Sequence, residues 1–188
     1  MTKLVAISGS LRKASFNTAL MRAAIAMAPD GVTIVEGTIR GIPLYDGDEE
    51  AAGGVPAAAS VLKELVAESD GVMLFTPEYN NSIPGVFKNA LDWMTRPSAD
   101  IPRVFAGKPF AITGASPGNF GTLLSQEAWL PIMRTLGTRP WFGTKLMVSR
   151  AGSVFDEHGQ IVDEATERRL RTFVEGFAAF VRDGKPTA

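Results

Sequence analysis

The sequence predicts an α/β protein built on a parallel sheet with helices on both faces. Two observations carry this. The strand-like runs, such as "GVMLF" at 71–75, are apolar at every position, so both of their faces need cover. Strand-like and helix-like segments also alternate five times along the chain. The length of 188 residues and an apolar content of 45% suit one domain with a full core, expected to span 1–188.

Leu4–Ser8 is β-branched, apolar and closed by Gly9, which lets the backbone turn. Thr18–Ala28 follows as a helix rich in Ala and Met, stopped by Pro29-Asp30-Gly31. Val32–Val35 is the second strand. Gly37–Val55 is rich in Gly, Pro and acid without a period and reads as a long connection. Pro56–Glu68 carries a helical stripe at Ala59, Leu62, Leu65 and Val66. Gly71–Phe75 is the third strand, and Pro84–Met94 is a helix with a proline at its start. Phe110–Thr113 is the fourth strand. Leu123–Leu136 is a helix expected to kink or break at Pro131. The fifth strand is either Thr138–Phe142 or Lys145–Val148. Glu164–Val181 closes the chain as a helix with Leu170, Phe173, Val174, Phe177 and Val181 on one side.

The composition removes several kinds of chemistry. The chain has no cysteine, which excludes disulfides, thiol nucleophiles and thiolate metal sites. Its single histidine, His158, lies in a polar turn and gives a triad or a multi-histidine metal site little to work with. With 19 Lys+Arg against 20 Asp+Glu, no charge excess points to nucleic acid or to an anionic membrane surface. The opening apolar run is too short for a signal sequence or a spanning helix, so a cytoplasmic protein without membrane insertion is expected.

In such a sheet, ligands bind beyond the carboxyl ends of the strands. Three loops there are informative. After the first strand, Ser10, Arg12, Ser15, Asn17 and Thr18 offer hydroxyl, amide and guanidinium donors ahead of a helix N-terminus, a setting for phosphate. The simpler alternative is that Ser15 or Asn17 only caps the helix. The loop matches neither G-x-x-x-x-G-K-[ST] nor G-x-G-x-x-G. After the third strand, "TPEYNNSIPG" is stiffened by two prolines and carries a carboxylate, a phenol and amides, suited to the edge of a planar heterocycle or to an ordinary turn. After the fourth, "TGASPGNFGT" has three glycines that permit close backbone approach to a flat ligand.

Together, "GSLRKASFN", "TPEYNNSIPGVFKNALDWMTRP" and "GASPGNFGT" resemble the three flavin-binding segments of the NAD(P)H-dependent FMN reductases. That family includes quinone, chromate and azo-dye reductases, and the resemblance runs from residue 4 to about residue 150. It implies a flavodoxin-like, doubly wound, five-stranded sheet in the order 2-1-3-4-5. It implies bound FMN, with NAD(P)H as co-substrate. Carried over, Ser10, Arg12, Ser15, Asn17 and Thr18 would hold the FMN phosphate. Pro77, Glu78, Tyr79 and Asn80 would hold the isoalloxazine edge, and Ser116 and Gly118 would flank the ring. Asn89, Asp92 and Trp93 match family positions read as structural or interfacial. The chain departs from the family at Thr122, which stands where a glycine is common and is expected to narrow the ring's face.

The implied activity is hydride transfer from nicotinamide through FMN to a quinone, chromate, an azo compound or free flavin. The flavin supplies the chemistry, so no catalytic side chain is expected. One crevice without a second nucleotide motif implies ping-pong kinetics. A flavodoxin-type electron carrier is the alternative, although a net charge of −1 fits an acidic carrier poorly. Arg96, Arg103 and Arg139 are candidates for reading the 2′-phosphate of NADPH. The resemblance also implies a homodimer or homotetramer, with "GTLLSQEAWLPIM" and Trp93 suited to the contact or to the core.

Overall fold

The computed structural model describes residues 1–184. Strands β1 (Thr2–Ser8), β2 (Val32–Gly37), β3 (Gly71–Phe75), β4 (Pro109–Ala115) and β5 (Arg139–Pro140) form a parallel sheet in the order β2-β1-β3-β4-β5. A sixth short strand, β6 (Met147–Val148), pairs with the far end of β4. The fold is the flavodoxin-like one that the resemblance implies. The two alternatives for the fifth strand are both partly right. Arg139 and Pro140 pair with Pro109 and Phe110, and Met147 and Val148 pair with Gly114 and Ala115. Between them the chain leaves the ladder only after Trp141, whose N–H still donates to the Phe110 carbonyl at 2.7 Å and whose ring packs on Phe173 and Phe177, with ring centroids 5.3 and 5.8 Å away.

The two-residue period of a strand sends alternate side chains to opposite faces. Leu4, Ala6, Met73 and Phe75 face one layer, closed by α1 (Phe16–Ala26) and α7 (Glu164–Asp183). Val5, Ile7, Val72 and Leu74 face the other, closed by α3 (Ala57–Ala67), α4 (Gly85–Met94) and α6 (Leu123–Thr135). This is why the strands are apolar throughout. Helix α6 continues through Pro131 and ends at Thr135.

Two short helices lie where the sequence shows no period. Helix α2 (Gly47–Gly53) interrupts the long connection, and α5 (Ile101–Phe105) precedes β4. No residue of α2 is buried, so no apolar stripe reveals it; the Asp46 cap and three acids in its first turn support it instead. The connection is pinned to α4. Asn89 accepts from the Tyr45 N–H and donates to the Pro43 carbonyl, each at 2.8 Å, and the Trp93 indole N–H also donates to Pro43. The Arg96 guanidinium holds the Glu50 carboxyl below the usual glutamate range, and Glu50 in turn raises the Tyr45 phenol through their hydrogen bond. Trp93 is 1% exposed and packs edge-on to Tyr45, so it is a core residue rather than a surface for another subunit.

No helix among the described residues is long and apolar enough to cross a membrane. Among them, no cluster of His, Asp and Glu could hold a metal ion.

Candidate functional site

The three loops meet at the carboxyl end of the sheet because the strand ladder continues into them. Gly9 N–H donates to Phe75 O at 2.9 Å, Thr76 N–H to Thr113 O at 2.8 Å, and Ser116 N–H to Val148 O at 2.9 Å. Gly9 is needed less for a turn than for close approach, since a Cβ there would run into the ring of Phe87 on α4.

A cavity of about 90 Å³ opens between the loops, lined by Ser10, Arg12, Ser15, Asn17, Pro77, Glu78, Tyr79 and Ser116. Eight of the eleven sites expected from the sequence thus converge; Thr18, Asn80 and Gly118 do not line it. Phe16, Ala115 and Pro117 complete the wall, and their types carry no signal that sequence reading could use.

The first loop presents an anion site. The N–H groups of Phe16 and Asn17, in the first turn of α1, have no intrahelical acceptor. Ser15 caps the helix by accepting from Thr18 N–H at 3.3 Å, and Ser10 accepts from Arg12 N–H at 3.3 Å. Each hydroxyl is an acceptor in these bonds, so its own proton is free to donate. The Arg12 guanidinium is exposed and has no carboxylate partner among the described residues. This donor set fits a phosphate monoester.

Two first-loop residues differ from expectation. The buried side chain of Asn17 is committed to β4: its Nδ2 donates to Ala115 O and its Oδ1 accepts from Ala115 N–H, both at 2.8 Å. Only its backbone N–H is left for an anion. Thr18 turns its hydroxyl to Ser8, 2.9 Å away, and lies outside the cavity.

The second loop is a tight hairpin. Tyr79 and Ser82 exchange backbone hydrogen bonds of 3.1 Å, with Asn80 at φ 50° and Asn81 at φ 62° between them. Positive φ at both central positions is the type I′ turn, and asparagine tolerates it. Asn80 therefore forms the tip, and Tyr79 stands exposed on the stem. Glu78 serves a purpose the sequence does not show. Its Oε2 accepts from Leu124 and Ser125 N–H at 2.8 and 3.0 Å, capping α6 from another loop. Thr122, at the N-cap position itself, makes no such bond. Glu78→Ala is expected to cost roughly 0.5–2 kcal/mol, the value of a helix cap. Chemical denaturation checks this, and Glu78→Gln, which keeps an acceptor, should recover much of the loss.

Behind this loop lies a buried polar cluster. Thr76 Oγ1 is 2.8 Å from Ser125 Oγ and accepts from the Trp129 indole N–H at 3.2 Å. In the third loop, Ser116 Oγ accepts from Gly118 N–H at 3.1 Å. The Gly118 carbonyl accepts from the N–H of Arg150, whose φ is 50°. Thr122 does not narrow the crevice. It is 0% exposed, and its hydroxyl accepts from the Gln126 side-chain amide. Its side chain fills the space beside Gly114, where a Cβ would collide with it and with the Thr76 carbonyl.

The arginines proposed for nucleotide reading are engaged elsewhere. Arg96 pairs with Glu50 at 2.8 Å and Arg103 with Glu64 at 2.7 Å, while Arg139 stacks on Phe180 at 4.3 Å. His158 is exposed in its turn, where its N–H donates to Asp156.

The family described as NADPH-dependent FMN reductase matches residues 2–153. An NAD(P)H-dependent FMN reductase of Pseudomonas aeruginosa is 38% identical over 180 residues, covering 96% of this chain and 95% of its own. A 2-hydroxy-1,4-benzoquinone reductase of a Burkholderia species is 38% identical, covering 96% and 97%. Among solved structures, the flavoenzyme NAD(P)H:(acceptor) oxidoreductase FerB of Paracoccus denitrificans superposes with a TM-score of 0.85 at 32% identity, covering 97% of this chain and 98% of that one. With the family match extending through all three loops, the chain belongs to the NADPH-dependent FMN reductase family.

Proposed function

We propose that the chain is a single flavodoxin-like domain that holds FMN in this crevice, oxidises NAD(P)H and reduces a small quinone. The observation that carries the reading is the wall of the cavity. Two free N–H groups of α1, two hydroxyls with available protons and an exposed guanidinium all face one small space. The benzoquinone named for the Burkholderia relative supports a flat, small acceptor.

In this reading Ser10, Arg12 and Ser15 hold the phosphate with the backbone of Phe16 and Asn17. Pro77, Glu78, Tyr79 and the Asn80 turn border the ring on one side, and Ser116 and Gly118 on the other. Bound FMN would supply the redox chemistry, hydride acceptance from nicotinamide and two-electron reduction of the acceptor. The protein binds, orients and partly excludes water. Glu78 fixes the second loop to α6, and Asn17 fixes the first loop to β4. Exposed Phe120, Leu123 and Leu124, beside the third loop, would be covered in the oligomer that the resemblance implies.

Nucleotide and acceptor share the one crevice and occupy it in turn. Initial rates against NADPH at several benzoquinone concentrations should therefore give parallel double-reciprocal lines. Intersecting lines would mean that both bind together and would refute the shared crevice.

A further inference from the structure

A second cavity, of about 260 Å³, lies on the far side of the first loop, beyond the carboxyl ends of β1 and β2. Arg12 and Lys13 of the loop, Arg22 of α1 and Arg40 after β2 line it. One carboxylate, Glu36, answers these four cations, and it stands 3.8 Å from Arg22 on the exposed surface, where such a pair is weak. Arg40 is held in place. Its Nη2 donates to the Leu11 carbonyl at 2.9 Å, and its N–H donates to Thr38 Oγ1 at 3.2 Å. Among the described residues Lys13 has no carboxylate partner.

We infer that this cavity takes the adenosine 2′-phosphate of NADPH, with Lys13 and Arg40 as the residues that favour NADPH over NADH. The inference rests on the functional reading above. Two features favour this ligand. The site has an excess of cations in a chain whose net charge is −1, so it suits a dianion. It shares Ser10 and Arg12 with the flavin cavity, so the two form one continuous surface along which a dinucleotide can extend. The phosphate of FMN itself goes to the first turn of α1, on the other side of the loop.

The test uses the FMN-loaded protein and the variant Lys13→Ala/Arg40→Ala. By calorimetry, wild type should bind 2′,5′-ADP about tenfold or more tighter than 5′-AMP, and the variant should bind both alike. In the variant, kcat/KM should fall by about tenfold to a hundredfold for NADPH and by less than about twofold for NADH. In Lys13→Ala alone, which leaves the Arg40 brace on the Leu11 carbonyl intact, the FMN dissociation constant should not change, which separates this site from the flavin's own. Equal binding of the two adenine nucleotides to wild type would overturn the inference. So would a variant that keeps the wild-type preference. Inorganic phosphate that binds at Lys13 and Arg40 while 2′,5′-ADP does not would make it a site for free phosphate and equally overturn it. Failure of the functional reading would look different: neither NADPH nor NADH would reduce the flavin in wild type, while calorimetry would still decide the anion site.

Discussion

Asn17→Ala is expected to destabilise the protein by roughly 2–5 kcal/mol, because it leaves two buried backbone groups of Ala115 without partners. Asn17 is 4% exposed and shields the Ala115 groups from water in the wild type. The loss should reach function as well, since this amide joins the start of α1 to the end of β4 and so sets the distance between the first and third loops. Asn17→Asp provides the internal control. It keeps an acceptor for the Ala115 N–H but faces the Ala115 carbonyl with an oxygen. As a desolvated carboxylate it should be at least as destabilising as Asn17→Ala near neutral pH, and less so at a pH where the acid is protonated and can donate. Denaturant titration of the three proteins reads this order. Asn17→Ala with wild-type stability would show that the amide bridge contributes nothing.

Arg12→Ala should weaken FMN binding by about tenfold to a hundredfold, the worth of one charge-assisted contact to phosphate. Stability in the absence of FMN should be unchanged, because the guanidinium is exposed and unpaired among the described residues. Arg12→Lys should recover part of the affinity, since it restores charge but not the two-pronged geometry. Titration of the apoprotein with FMN, followed by quenching of flavin fluorescence, measures all three. An unchanged dissociation constant in Arg12→Ala would remove this residue from the phosphate site.

Much of this architecture is legible in the sequence, for a physical reason that also marks its limits. Strands buried on both faces must be apolar throughout, so β1, β3 and β4 stand out in the sequence. Helices that bury one face show a stripe, so α3 and α7 stand out as well. Helix α2 buries nothing and shows nothing. The fifth strand is ambiguous because the chain pairs with β4 twice, at Arg139–Pro140 with the Trp141 N–H and again at Met147 and Val148, with unpaired residues between.

The site is legible at the level of loops and less so at the level of atoms. Polar residues beyond strand ends identify the crevice, yet residue type does not say where a side chain spends its hydrogen bonds. Asn17 and Glu78 have the chemistry of ligand contacts, and both are used to join one loop or helix to another. Thr122 has the bulk to obstruct a ring and turns it inward beside Gly114. Arg96 and Arg103 have the charge for a nucleotide phosphate but meet carboxylates 46 and 39 residues distant in sequence. Such long-range partners are fixed by the fold and leave no local pattern.

A crevice that holds FMN and passes electrons from NADPH needs no protein partner to bleach its flavin. The absorbance spectrum of the FMN-reconstituted, desalted protein under anaerobic conditions, before and after addition of NADPH, measures this. About one FMN should be retained per chain, as one phosphate-binding wall allows, and its visible absorbance should bleach on adding NADPH and return on adding benzoquinone. A chain that emerges from desalting without flavin, or one whose bound flavin stays oxidised in the presence of both NADPH and NADH, would contradict it.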